Sequence, residues 1–110
     1  LYESACVFTG CSIVEILDAA HIIPYSEKGT STNDPRNGLL LRTDIHTLFD
    51  LHLIAVDTTD FTILVAPHLR LSEYGPLHGK RIKILANRCD YPSRAALDEH
   101  RRMFERKLKK

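Results

Sequence analysis

The sequence predicts a small α+β domain: two short antiparallel strands packed on one helix, extended by a β-hairpin and a C-terminal helix. Two apolar runs, at residues 17–23 and 38–42, have the composition of strands, and a helix start follows the second run at Thr43. Two further β-rich runs, joined by a polar turn, come next. With 110 residues, the chain suits one domain.

The first two strands are predicted on either side of a long loop. Pro24 ends the first apolar run and favours extended geometry in the residue before it. Residues 25–36 hold Ser, Gly, Thr, Asn, Asp and Pro in close succession, which is typical of a surface loop. Loops of this length inside a compact domain are usually functional. The run at residues 38–42 is therefore expected to pair with the first strand.

Regular elements are also predicted after the second strand. Thr43 is expected to be the N-cap of a helix that carries His46, Leu48, Phe49 and Asp50 on helical spacing. Residues 53–66 predict a hairpin with its turn at residues 58–60, and residues 81–85 are a third strand candidate. Ser93 is expected to begin the last helix. Its predicted apolar stripe consists of Ala95, Ala96, Leu97, His100, Phe104 and Leu108.

Charge and hydropathy limit the classes of protein to which the chain can belong. The net charge of +1 does not by itself indicate a nucleic-acid binder. The basic segment at residues 101–110 is either a solvated helix face or a surface that attracts polyanions. No apolar run approaches the roughly 20 residues that cross a bilayer, and the N-terminal residues lack the layout of a signal peptide. We expect one domain over residues 1–110, with no membrane association, as part of a longer protein.

The cysteines favour a reducing compartment. The chain has an odd number of them, Cys6, Cys11 and Cys89, which is not the disulfide framework of a small secreted domain. The expected location is therefore the cytoplasm. Cys6 and Cys11 lack a second cysteine pair that could complete a zinc site, so burial as small apolar side chains is the favoured role.

The stretch at residues 17–50 combines side chains that suit phosphodiester hydrolysis. Such hydrolysis needs a base for water, a cation that offsets charge on the phosphate, and a group that orients the base. Histidine is the usual base because imidazole titrates near neutral pH, and His21 closes the first apolar run. His46 and Asp50 lie one helical turn apart and could share one ion. Asn37 could bridge backbone groups across the loop.

The words LDAAHIIP and PRNGLLLRTDIHTLFD resemble the HNH endonucleases, also called ββα-metal or His-Me finger nucleases. More narrowly, they resemble the branch with an AAHI-P…NGLLL…H-LFD pattern that is found in bacterial restriction and other defence nucleases. The resemblance is good over residues 6–54 and loose over residues 79–104. It implies a ββα-metal core and a divalent-metal-dependent DNA endonuclease.

The resemblance implies a role for each matching residue. His21 corresponds to the general base, Asn37 to the loop-fixing residue, and His46 and Asp50 to metal ligands. It further implies double-stranded DNA as substrate and products with 5′-phosphate and 3′-hydroxyl ends. A ligand set of one imidazole with carboxylates favours Mg²⁺ or Mn²⁺, with Zn²⁺ as an alternative. Target choice would come from a fused or partner specificity domain, and cutting both strands would need a homodimer or two successive nicks.

The chain departs from the family pattern just before the base. Many members carry a metal-binding Asp or His there, whereas this chain has Ala20. Asp18 lies on the same side of an extended strand and is the nearest substitute, as a ligand, as a partner of a ligand, or in a capping or pairing role at the strand end. Arg36 and Arg42 flank the asparagine and are either phosphate contacts or surface charges.

Two other functions compete with the nuclease. A domain that has lost efficient chemistry, as Ala20 suggests, would remain a DNA-binding module. A metal-stabilised interaction domain is the third hypothesis, for which chelation should lower the melting temperature and DNA should not bind. His52, His68, His78 and His100 have no comparable context and are expected to be structural or surface residues.

Overall fold

We describe the fold from a computed structural model, which describes residues 5–22, 38–83 and 94–108. Strand β1 is Leu17–His21 and strand β2 is Gly38–Arg42, and the two pair antiparallel. Helix α1, Thr43–Asp50, follows β2 directly. The predicted core of two strands and one helix is thus confirmed, and β2 has the predicted bounds. β1 ends at His21, because Ile22 forms a bend, so the strand predicted over residues 17–23 is too long by at least that residue. Pro24 and the long loop lie outside the described residues.

The two faces of the β1–β2 ribbon differ in burial. Residues directly opposite each other share a face, and Ala20 pairs with Leu39 while Asp18 pairs with Leu41. Ala20, Leu39 and Leu41 are almost fully buried. On the other face, His21 pairs with Gly38 and is exposed. One side of the ribbon therefore packs on the apolar core and the other lies open.

Helix α1 packs on the buried side of this ribbon through Ile45 and Phe49, which are both 0% exposed. The expected Thr43 cap is wrong by one position, because the N-cap residue is Arg42 and no side-chain cap is present. The Thr43 hydroxyl instead donates to the carbonyl of Ile16, which leads into β1. Asp44 accepts a hydrogen bond from the N–H of Ile45 in the first turn.

The predicted hairpin is present as β3, Ile54–Asp57, and β4, Thr62–Val65, with antiparallel pairing. The third strand expected at residues 81–85 is reduced, within the described residues, to a single bridge between Arg81 and Thr62. The bridge consists of two backbone hydrogen bonds, from the N–H of Ile63 to the carbonyl of Lys80 and from the N–H of Ile82 to the carbonyl of Phe61. It is not continued at Lys83, whose N–H bonds to the carbonyl of Val7 and not to the hairpin. Residues 84 and 85 lie outside the described part.

Backbone hydrogen bonds through Val7 join the two strand pairs. Its N–H donates to the carbonyl of Leu40 in β2, and its carbonyl accepts from the N–H of Lys83, next to the hairpin. Cys6, beside it, is 0% exposed, and Cys11 is partly buried. Both are free thiols, while Cys89 lies outside the described residues.

The last helix, α2, is Arg94–Leu108 and packs mainly on β3. Its buried side chains are Leu97, His100 and Phe104, as the predicted stripe requires. Ala95 and Leu108, at the two ends of the predicted stripe, are exposed, because the stripe extends beyond the surface that it covers. Among the described residues, no helix is long and apolar enough to cross a membrane.

Candidate active site

His46 lies on α1 with each imidazole nitrogen near a carboxylate. Its Nδ1 is 3.0 Å from Oδ2 of Asp18 on β1, and its Nε2 is 3.2 Å from Oδ2 of Asp50. The helical spacing places His46 and Asp50 on one face of α1. Asp18 reaches the same imidazole from the strand because α1 packs against the side of β1 that carries Asp18 and Ala20.

Of the two contacts of His46, only the one to Asp18 has the geometry of a hydrogen bond, whereas Asp50 lies 3.2 Å from Nε2 without one. Because a carboxylate only accepts hydrogen bonds, this arrangement favours the tautomer of the neutral imidazole with its proton on Nδ1. Nε2, which faces Asp50, then carries the free lone pair. The arrangement presents one imidazole nitrogen and one carboxylate oxygen side by side, and both are ordinary ligands of divalent cations.

His21 opens into the same cleft as these two side chains. The cleft has a volume of about 260 Å³ and is formed by β1, α1, the turn after α1, and α2. Its lining residues are Ala19, His21, Ile22, His46, Asp50, His52 and His100. The structure thus brings the predicted base and the two predicted ligands together at one surface.

The residue before His21 does not face this cleft. Ala20 is 2% exposed and belongs to the apolar core together with Leu39 and Leu41. Ala19, one position earlier, lines the cleft instead. A carboxylate at position 20 would therefore lie among apolar side chains, which gives a structural reason for the alanine.

The pair His46 and Asp50 fits a metal ion that keeps other ligands. Two adjacent ligands at about 2.1 Å from an ion lie about 3.0 Å apart in an octahedron and about 3.4 Å apart in a tetrahedron. The observed 3.2 Å between Nε2 and Oδ2 falls between these values. No group of three or more ligand side chains occurs among the described residues. Here an ion would complete its shell with water and substrate oxygens.

Arg42 lies at the far end of β2 from Gly38, the partner of His21, and its guanidinium is bound to Asp44. Nε is 2.7 Å from Oδ1 and Nη2 is 2.9 Å from Oδ2. The hydroxyl of Tyr74 also donates to Asp44. The hydrogen bond from Arg42, helped by that from Tyr74, lowers the pKa of Asp44 to about 2, against the opposing effect of burial. Because Nε and Nη2 are bound to Asp44, a phosphate contact by Arg42 would have to use Nη1.

His100 reaches the cleft from α2 and was not expected there. It is 3% exposed, and its ring stacks on Phe49 at a centroid distance of 3.7 Å. Burial lowers its pKa to about 4, so the ring is neutral at physiological pH. The only sequence sign was a histidine within an otherwise apolar helix stripe, which indicated burial but not proximity to His46.

His52 also lines the cleft, in the turn that ends α1. Its φ is 60°, a left-handed conformation that is uncommon outside glycine. The N–H of His52 bonds to the carbonyl of Phe49, and that of Leu53 bonds to the carbonyl of Leu48. This pair of bonds is the Schellman arrangement that often closes helices, and it requires the left-handed residue.

Two of the predicted site residues, Arg36 and Asn37, lie outside the described residues. Gly38, the neighbour of Asn37, pairs with His21 across the ribbon.

Residues 6–57 match the model of a family described as HNH endonuclease. The match spans β1, β2, α1 and β3, together with the turns before β1, and ends before β4 and α2. It supports an HNH domain and a nuclease in general, a class that acts on DNA and generally uses divalent metal ions. No curated protein gives a significant match to the chain.

Proposed function

We propose that the chain is a divalent-metal-dependent DNA endonuclease in which His21 is the general base and His46 and Asp50 hold the ion. The observation that carries this proposal is the His46 imidazole placed between Asp18 and Asp50, in the cleft that His21 also lines. The family match over residues 6–57 supports the same class of reaction. Asn37 is proposed to fix the loop beside His21.

His21 would take the proton from the attacking water. Its side chain is exposed, so water and a phosphodiester can reach it. A general base must lie within hydrogen-bond reach of the proton that it removes, and contributes about 10²–10⁴-fold to the rate. The reaction breaks the bond between phosphorus and the 3′ oxygen, which leaves a 5′ phosphate and a 3′ hydroxyl.

The cation would supply Lewis-acid stabilisation of the charge that develops on the phosphate and on the leaving oxygen. His46 would bind it through Nε2 and Asp50 through a carboxylate oxygen. A site with so few protein ligands suits Mg²⁺ or Mn²⁺, because these ions keep several water or phosphate oxygens in their shell. Zn²⁺ is the alternative ion.

Asp18 is proposed to orient His46 and not to bind the ion directly. Its 3.0 Å contact to Nδ1 uses the nitrogen that points away from Asp50. A carboxylate in this position fixes the tautomer and increases the basicity of the ligating nitrogen. This geometry therefore does not favour Asp18 as a substitute for the metal ligand that many family members carry at the position of Ala20.

The substrate is proposed to be double-stranded DNA, bound mainly through its phosphates. Arg42, through Nη1, and Arg36 are the proposed phosphate contacts. We assign the domain to the restriction and defence branch of these nucleases, on the basis of its AAHI-P…NGLLL…H-LFD pattern. In that role it would act in the cytoplasm, with a fused or partner domain for target choice, and as a homodimer if it cuts both strands together.

Plasmid nicking tests the proposal. Wild type should nick supercoiled plasmid with Mg²⁺ or Mn²⁺ and lose activity with a chelator. His21→Ala should lower the rate by about 10²–10⁴-fold because the base is lost. The matched control is His68→Ala, which removes an exposed histidine outside the cleft and should leave the rate unchanged. Religation of the nick by DNA ligase without a kinase step would identify the 5′ phosphate.

The second candidate function is a DNA-binding module without efficient chemistry, which the core-facing Ala20 favours. The same assay separates the two. If wild type and His21→Ala nick equally, or if neither nicks with any divalent ion while both bind DNA, the binding module is the correct function.

A further inference from the structure

We propose that His100, on the C-terminal helix α2, is a positioning residue for the metal-binding pair on α1. This inference rests on the proposed function, because it assigns to His100 the task of fixing the helical turn that ends in Asp50. His100 lies beyond residues 6–57, the part of the chain that matches the nuclease family.

The contact that carries the inference joins His100 to the end of α1. Nε2 of His100 is 2.7 Å from the carbonyl oxygen of Phe49, the residue before Asp50. A carbonyl only accepts, so Nε2 carries the proton and donates it. The ring also stacks on Phe49 with an interplanar angle of 8°, so both the backbone and the side chain of this residue are held.

A second side chain of α2 binds the same end of α1. Nζ of Lys107 donates to the carbonyl of Leu51 at 2.6 Å. Positions 100 and 107 are two helical turns apart and share a face of α2. Donors supplied from outside a helix stabilise its last turn, and at Phe49 the bond from α2 is additional to the one that the carbonyl accepts from the N–H of His52. The α2 helix therefore supplies two such donors to the turn that carries Asp50.

The position of that turn matters for the proposed ion. Asp50 is the last residue of α1, and its side chain is 60% exposed, so few contacts of its own restrain it. The 3.2 Å between its Oδ2 and Nε2 of His46 depends on the last turn of α1. Asp18 restrains His46 from β1, and His100 is placed to restrain the turn of Asp50 from α2.

The other ring nitrogen of His100 argues against a purely stabilising role. Nδ1 is buried and has no hydrogen-bond partner among the described residues. A buried polar atom without a partner costs about 1–3 kcal/mol, whereas an apolar side chain of similar shape would avoid that cost. A histidine here is thus a poor choice for packing alone, but it provides a donor to the carbonyl of Phe49 from a flat ring that can stack on Phe49.

The inference is tested by direct Mn²⁺ binding, measured by electron paramagnetic resonance, on wild type and two variants. His100→Phe keeps a stacking ring and removes the donor, and it should weaken Mn²⁺ binding by about tenfold, the low end for residues that support metal ligands. His100→Gln supplies an amide N–H that can still reach the Phe49 carbonyl, and it should restore binding to within about threefold of wild type.

The matched control is Thr58→Val. Thr58 is buried, and its hydroxyl donates to Asp98 of α2 at 2.6 Å, away from the cleft. The variant should lower the melting temperature and leave Mn²⁺ affinity unchanged. In metal-free protein, His100→Phe should also increase amide hydrogen exchange at His52 and Leu53, which close α1, while Thr58→Val should not.

The outcomes distinguish this inference from the proposed function. If wild type binds Mn²⁺ and nicks DNA, but His100→Phe binds Mn²⁺ normally or His100→Gln is no better than His100→Phe, the positioning role is wrong and the nuclease stands. An equal loss of Mn²⁺ affinity in Thr58→Val would show that general stability is responsible. If wild type neither binds Mn²⁺ nor nicks DNA, the proposed function fails, and the positioning role fails with it.

Discussion

A polar cluster in one half of the molecule and a polar pair in the other differ in their exposure to solvent. In the half formed by β1, β2 and α1, the side chains of His46, Asp18 and Asp50 are 28%, 40% and 60% exposed. In the half formed by β3, β4 and α2, Thr58 is only 7% exposed and is bound to Asp98. The cluster around His46 is open to solvent, whereas the Thr58–Asp98 pair joins α2 to the hairpin.

The comparison indicates which polar groups of the molecule can bind an ion or a phosphate. Exposed carboxylates beside an imidazole can exchange their partners for an ion or a phosphate at small cost, because solvent already screens them. Buried hydrogen-bonded pairs cannot do so, because breaking them leaves a desolvated group without a partner. The stack of His100 on Phe49 joins the two halves.

The largest effect is expected from a matched pair of substitutions in β1. Ala20→Asp places a carboxylate in the apolar core and should lower the free energy of unfolding by about 3–5 kcal/mol, since a buried unpaired charge is costly. Ala19→Asp adds the same charge on the cleft side, where it is exposed. It should change the free energy of unfolding by less than about 0.5 kcal/mol.

Urea denaturation at neutral pH measures both substitutions. Equal loss of stability in the two variants would show that β1 does not separate a core face from a cleft face. A stable Ala20→Asp variant with stronger Mn²⁺ binding would mean that position 20 can supply a ligand, and would overturn the explanation given for the alanine.

The next largest effect is the pH dependence of stability that arises from His100, whose ring joins the two halves. Burial lowers the pKa of His100 from 6.5 to about 4 in the folded chain. The unfolded chain therefore binds a proton at higher pH than the folded chain. The stabilising contribution of the neutral ring is present above about pH 6.5, is lost as pH falls from there to about 4, and amounts to about 3 kcal/mol.

Comparing wild type with His100→Phe isolates this contribution, because His78, whose pKa is also lowered by burial, remains in both proteins. The free energy of unfolding of wild type minus that of His100→Phe should fall by about 3 kcal/mol as pH falls from 7 to 4, whichever protein is the more stable at pH 7. Parallel stability curves over that range would mean that His100 is not a neutral buried group.

The smallest effect compares two threonine hydroxyls, one in each half. Thr58→Val removes the bond from the buried Thr58 to Asp98 and should cost about 1–2 kcal/mol. Thr43→Val removes the exposed bond to the carbonyl of Ile16 and should cost less than about 0.5 kcal/mol. Melting temperatures by circular dichroism measure both, and a larger loss for Thr43→Val would contradict the contrast between the two halves.

Local pattern was enough to predict most elements. The bounds of β2 and the hairpin followed from apolar runs and their turns, and the His46 and Asp50 pair followed from helical spacing. The cap at Thr43 was wrong because its hydroxyl bonds to Ile16, across the β1–β2 ribbon. Over its described residues, 81–83, the third strand was overestimated, because apolar content does not reveal how many backbone pairs a neighbouring strand offers.

The sequence by itself determined the order of elements and the presence of a histidine and an aspartate on one face of α1, because these depend on spacing along the chain. Only the tertiary structure determined which other side chains contact this pair and line the cleft. Asp18 and His46 are 28 residues apart, and His100 and Phe49 are 51 apart. Such contacts depend on which faces of β1, α1 and α2 are buried against each other. For the same reason, only packing distinguished Ala19 in the cleft from Ala20 in the core.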